Sequence, residues 1–73
     1  MSKEFYALKR EVDGRLLYIS KNDFHCTTCD PNEALCFFSE NHIKVWKKCN
    51  PNYADAIAVI MLSNDDGTVE EKT

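Results

Sequence analysis

Asp13-Gly14 stands between two strand-like runs, Glu4 to Val12 and Arg15 to Ser20, and it constrains the fold more than any other feature of the chain. Asp-Gly is the dipeptide of the two-residue type I′ hairpin turn, whose central residues both take positive φ. Such a turn sets the register. Val12 is placed opposite Arg15, Arg10 opposite Leu17, Leu8 opposite Ile19 and Tyr6 opposite Lys21. One face then carries Tyr6, Leu8, Val12, Leu17 and Ile19 and is expected to be the core, because strand side chains alternate between faces. The other face carries Phe5, Ala7, Leu16 and Tyr18, diluted by Lys9 and Glu11, and is more apolar than a plain solvent face.

Residues 21–33 are rich in Asn, Asp and Pro and read as a loop. A loop this long in so small a domain is often functional, and Phe24 is expected to anchor it to the core. Ala34-Leu35-Cys36-Phe37-Phe38 reads as a short buried strand. Ser39 then supplies an N-cap oxygen to a helix over 40–49. At about 100° per residue, His42, Ile43, Val45, Trp46 and Cys49 fill one arc, while Glu40, Asn41, Lys44, Lys47 and Lys48 fill the other. Asn50-Pro51-Asn52 ends the helix, since proline cannot continue the ladder. Ala54 to Leu62 is apolar at both parities, which predicts a strand buried on both sides. The expected architecture is α+β, a small mostly antiparallel sheet in the order β-β-β-α-β with one amphipathic helix packed on one face.

At 73 residues the chain makes one domain, and a domain of this size buries only about 60% of the surface of its unfolded chain. Residues 1–62 form that domain and balance eight basic against eight acidic side chains. The net charge of −3 therefore belongs to residues 63–73, which read as an acidic, disordered tail. A neutral body offers phosphates no general field and argues against nucleic acid as a partner. Met1-Ser2-Lys3-Glu4 leads into a strand pattern and not into a signal peptide, and no apolar run is long enough to span a bilayer. The expected location is the cytoplasm, with reduced thiols.

The chemistry-bearing residues gather between His25 and Cys49. Cys26-x-x-Cys29 has the spacing of half a zinc site. The second knuckle is missing, because Cys36 and Cys49 are separated by twelve residues. Cys36 falls in the apolar strand and Cys49 on the apolar helix face, where a free cysteine behaves as a small hydrophobe. His42 and Cys49 share that face but stand two turns apart, about 10 Å. A thioredoxin-like pair needs a cysteine at a helix N-terminus in a βαβ context, and neither surrounds Cys26. There is no glycine-rich phosphate loop and no nucleophile elbow. The chain is expected not to be an enzyme.

The hairpin Tyr6-Ala7-Leu8-Lys9 to Asp13-Gly14-Arg15-Leu16-Leu17-Tyr18-Ile19, followed by Asn32-Glu33-Ala34-Leu35-Cys36-Phe37-Phe38-Ser39, a helix with Trp46 and a closing apolar strand, resembles small accessory proteins of phages and prophages of Gram-positive bacteria. The resemblance spans residues 5–62, rests on pattern, and carries no catalytic residues. The cysteines depart from it. It implies a non-enzymatic protein that binds and modulates a host or phage protein, which in a phage-encoded chain acts in the host cytoplasm.

The first expectation for function is accordingly a protein-binding module. Its candidate surface is Phe5, Leu16 and Tyr18, since exposed aromatics are typical interface anchors. That face could instead be covered by the tail or by a second copy in a homodimer. The alternative is a zinc-stabilised binding module, able also to take nucleic acid, with Cys26 and Cys29 as ligands and Cys36, Cys49 or His25 completing the set.

Overall fold

A computed structural model describes residues 3–72. The expected absence of a signal peptide at Met1-Ser2, and Thr73 of the expected tail, fall outside the described residues. Five strands, β1 (Lys3–Val12), β2 (Arg15–Ile19), β3 (Thr27–Thr28), β4 (Ile57–Ser63) and β5 (Val69–Glu71), form one antiparallel sheet with one helix, α1 (Glu40–Cys49). The spatial order is β3-β2-β1-β4-β5, and the sheet curls into a half-barrel.

The turn that joins β1 to β2 has the backbone its dipeptide demands. Asp13 has φ +52° and Gly14 φ +80°, the two left-handed positions of a type I′ turn. Val12 pairs with Arg15, Arg10 with Leu17 and Lys9 with Tyr18. Beyond that point the two strands diverge and residues 34–37 fill the gap. Tyr6 exchanges both backbone hydrogen bonds with Phe37 at 2.8 Å, and Leu35 N–H donates to the Ile19 carbonyl at 2.8 Å. Tyr6 therefore faces Phe37 and not Lys21. The 34–38 run is extended but belongs to no strand; isolated bridges at Ala34 and Phe37 hold it.

Both faces of the sheet are core. Ala7 and Leu8 are neighbours on opposite faces, and each is 0% exposed. On the helix face Leu8, Ile19, Phe37, Ile43, Tyr53 and Ala56 pack together, flanked by Tyr6, Leu35 and Trp46. On the inner face Ala7, Tyr18, Ala34 and Met61 pack together, flanked by Phe5, Val59 and Val69. The hairpin face expected to be solvent-side is thus the lining of the half-barrel. The 3-10 turn Pro31–Glu33, which follows the edge strand β3, reaches across to β5 at the other edge. That contact closes the curl.

Ser39 caps α1 as its sequence predicts, with Oγ accepting from His42 N–H at 3.1 Å. Asn50 N–H donates back to the Trp46 carbonyl at 2.9 Å, and Pro51 starts a separate 3-10 turn, Pro51–Tyr53. The helix rests on the sheet through a narrower stripe than its periodicity predicts. Only Ile43 is fully buried. His42, Val45 and Cys49 are exposed. The expected two-sided burial of β4 also fails, since Ile57 and Ile60 are exposed and Met61 is its one fully buried residue. The ten-residue helix leaves Ile60 on its own face uncovered, while Ile57, on the inner face with Val59 and Met61, stands at the open start of the strand opposite Lys9.

The acidic segment is not a loose tail. Asn64 N–H donates to the Thr68 carbonyl at 2.8 Å and Gly67 N–H to the Asn64 carbonyl at 3.1 Å, making a turn that returns the chain as β5. Ser63 pairs with Val69 and Met61 with Glu71. Among the described residues no helix is long and apolar enough to cross a membrane.

Candidate functional site

The parity of residues 34–38 decides where the unused apolar surface lies. Leu35 and Phe37 turn to the helix face. Ala34, Cys36 and Phe38 turn the other way and line a cleft at the open end of the half-barrel. Phe37 is 1% exposed and Phe38 is 81% exposed. Phe38 is pinned on both sides, by the Phe37–Tyr6 bridge before it and by the Ser39 cap after it. The His42 ring stacks on it at 6.3 Å between centroids. A large apolar side chain is therefore held out in solvent by backbone that has little freedom left, which lowers the ordering cost of a contact made there.

The cleft has a volume of about 370 Å³, at the small end of the roughly 300–1,000 Å³ of ligand pockets. Phe5, Pro31, Ala34, Phe38 and Val69 supply its apolar lining, and Lys3, Glu4 and Lys21 stand at its rim. Glu4 is engaged by Lys72 at 2.7 Å. Among the described residues neither Lys3 nor Lys21 makes an ion pair. Partial burial pushes the Cys36 thiol up, and the nearby charge of Lys21 opposes that shift, which places the ammonium beside Cys36. A wider hollow of about 530 Å³ lies on the outer side of α1. Its walls are lysine stems, Asn41 and Ala54, with Val45 as the one large apolar residue.

The three residues expected to form one surface do not lie together on an open face. Phe5 is half-buried in the cleft wall. Leu16 is 50% exposed near the Asp13-Gly14 turn. Tyr18 is only 7% exposed, because β5 brings Glu71 over it and its hydroxyl donates to Glu71 Oε1 at 3.0 Å. Phe38 was readable in principle: if Leu35 and Phe37 alternate inward, Phe38 must point with Cys36.

The cysteines and histidines are not gathered. All four thiols are free and exposed, so Cys36 and Cys49 do not fill core space. Among the described residues no group of three or more His, Cys, Asp or Glu side chains is placed to share a metal ion. The reason is visible at Cys26-x-x-Cys29. A zinc knuckle folds its two intervening residues into a turn, whereas Thr27 and Thr28 are extended and paired with Ile19 and Tyr18. At 3.3 Å per residue the two cysteine Cα atoms stand on the order of 10 Å apart, too far for a disulfide as well. Cys26 Sγ sits 3.6 Å from Asp23 Oδ2. The Asp23 charge, then its hydrogen bond, push that thiol up, away from the thiolate that metal binding or nucleophilic attack needs. His25 lies against the Phe24 ring at 4.4 Å. Phe24 does anchor its loop, edge-on to Trp46 at 6.2 Å, with its carbonyl accepting from Tyr53 Oη at 2.9 Å.

Comparison of the chain with family models, with curated proteins and with solved structures finds no match.

Proposed function

We propose that this chain is a non-enzymatic polypeptide-binding module whose contact surface is centred on Phe38 and the cleft beside it. The observation that carries this reading is the 81% exposure of Phe38 on backbone fixed by a bridge and a helix cap. A phenylalanine left fully in water forgoes about 1.5–3 kcal/mol of burial, and a rigid aromatic next to an apolar recess is the form interface hot spots take. The resemblance to phage accessory proteins fits the same reading, with a host or phage protein as the partner and modulation of that partner as the role. The shifted thiols support a non-enzymatic role, since both Cys26 and Cys36 are pushed up, opposite to an activated nucleophile.

The test is a paired capture from host lysate with Phe38→Asp and Leu16→Asp, both checked for folding by circular dichroism. A stoichiometric partner retained by wild type and by Leu16→Asp, and lost by Phe38→Asp, is the expected result. Loss on Leu16→Asp alone moves the surface to the hairpin tip, and equal retention by both variants removes Phe38 from the interface.

A further inference from the structure

We infer that the cleft takes an apolar side chain of a partner polypeptide flanked by carboxylates, an acidic segment carrying an aromatic or branched aliphatic anchor. This rests on the reading of Phe38 as a docking residue and adds the chemistry of what docks. The volume of about 370 Å³ and the lining by Phe5, Pro31, Phe38 and Val69 suit one or two apolar side chains and not a folded element. Charge at the rim sets what must surround that anchor. Lys3 and Lys21 stand there without ion-pair partners among the described residues, while the one rim carboxylate, Glu4, already holds Lys72. A basic partner would bring like charge against two exposed, unpaired ammonium groups at the edge of an apolar wall, a repulsion that salt screens. An acidic flank turns the same groups into ion-pair donors.

Single-stranded nucleic acid also joins anionic groups to flat apolar ones. It is disfavoured because phosphate tracking needs a continuous basic groove, and the cleft rim has two lysines in a chain of net charge −3. A second copy of this chain is disfavoured on its own anchors: of its exposed apolar residues, those with a carboxylate beside them in sequence are Val12, between Glu11 and Asp13, and Phe24, after Asp23, and Val12 is only 36% exposed while the Phe24 ring is held against Trp46 and Tyr53.

The experiment uses the full chain, isotope-labelled, titrated with two capped hexapeptides that share a central Phe-Leu. One is flanked by glutamates and the other by lysines. An oligothymidylate forms a third arm. The expected result is amide shifts at Phe5, Ala34, Cys36, Phe38 and Val69 with the glutamate peptide, about tenfold tighter than with the lysine peptide and converging as salt rises. Lys21→Glu, at an exposed position, leaves the Lys3 ammonium balanced by one new carboxylate and should abolish the preference without disturbing the rest of the spectrum. Equal binding of both peptides at the cleft overturns the charge argument and leaves Phe38 as a docking residue. No shift at the cleft with either peptide overturns the inference, and the Phe38→Asp capture then decides the broader reading by itself. Cleft signals that move with protein concentration alone assign the site to a second copy, and shifts with oligothymidylate alone assign it to nucleic acid; either overturns the inference.

Discussion

Tyr18 Oη donates to Glu71 Oε1 at 3.0 Å across 53 positions of sequence, and the same carboxylate oxygen takes Lys9 Nζ at 2.6 Å. The lysine also lies over the Tyr18 ring, 4.8 Å from its centroid. Three strands meet in this knot: β1 through Lys9, β2 through Tyr18 and β5 through Glu71. It is what turns an acidic terminal segment into the last strand of the half-barrel. Tyr18→Phe keeps the ring and removes only the donor. It should cost about 1.5 kcal/mol, the low end of the range for a hydrogen bond to a charged acceptor, because Glu71 keeps Lys9 as a partner. Denaturant unfolding gives the loss, and amide exchange should quicken at Val69–Glu71 before it does in β1.

The same knot gives stability a pH dependence at both ends. The Lys9 hydrogen bond, and then that of Tyr18, hold the Glu71 carboxyl below its ordinary value of 4.5 against the opposing effect of burial. A depressed folded value means this contribution is present above the ordinary carboxylate range and is lost as pH falls through the folded value. Tyr18 behaves in the opposite sense. Burial, then the hydrogen bond and charge of Glu71, push its phenol from 10.0 up to about 12. Its contribution is present below pH 10.0 and is lost as pH rises toward 12. Glu71→Gln should flatten the acid limb of a stability–pH curve, and Tyr18→Phe the alkaline limb. Unaltered limbs in these variants mean the knot does not form in solution.

Composition hides the knot in the sequence. Asp66-Gly67 is the same dipeptide as Asp13-Gly14, and Gly67 has φ +87°. The first stands between two apolar runs and reads as a hairpin. The second is followed by Val69-Glu70-Glu71, whose charges mask a three-residue strand. Alternation survives there, since Val69 and Glu71 face inward and Glu70 faces out, but three residues are too few to outweigh four carboxylates by composition. The helix from Ser39 to Cys49 was legible because cap, period and proline stop agree. How much of its apolar arc meets the sheet was not, because that depends on where Phe37 and Tyr53 stand in space. Likewise the apolar alternation of 34–38 reveals two faces, but which face meets water is set by the curl of the sheet.

Because the thiols are exposed and dispersed, chelation should not unfold the protein. The Cys26→Ser, Cys29→Ser double variant should stay within about 0.5 kcal/mol of wild type, as other surface changes do. A thiol reagent should react with all four cysteines in the native state. Asp23→Asn removes the charge that raises the Cys26 thiol, so its labelling at neutral pH should accelerate. Unfolding on chelation, or a Cys26 rate unchanged by Asp23→Asn, contradicts this arrangement.

The cap at Ser39 joins fold to site. Ser39→Ala removes the acceptor of the His42 amide and should cost about 1 kcal/mol. The first turn should fray, carrying away the His42 ring that stacks on Phe38. Helix-end amide exchange and a loss of ring-current shift on Phe38 are the readouts. If the affinity for the glutamate peptide survives this variant at full strength, Phe38 does not depend on its cap for its pose.

Phe37 and Phe38 are adjacent, identical in chemistry and opposite in environment, which makes them the sharpest comparison in the chain. The Phe37 ring is 1% exposed, meets Trp46 edge-on at 5.5 Å and His42 at 5.1 Å, and seats α1 on the sheet. Phe37→Ala deletes that ring and leaves a void beneath the helix, a change that costs about 3–5 kcal/mol in packed cores. A domain of this size has total stability of about 3–5 kcal/mol, so Phe37→Ala should sit close to its unfolding midpoint at room temperature. Phe38→Ala removes a ring that touches little besides His42 and should move stability by no more than about 0.5 kcal/mol. Calorimetry on the two variants reads both numbers. Comparable destabilisation by the two substitutions requires Phe38 to be packed in solution, and the docking surface proposed for it then disappears.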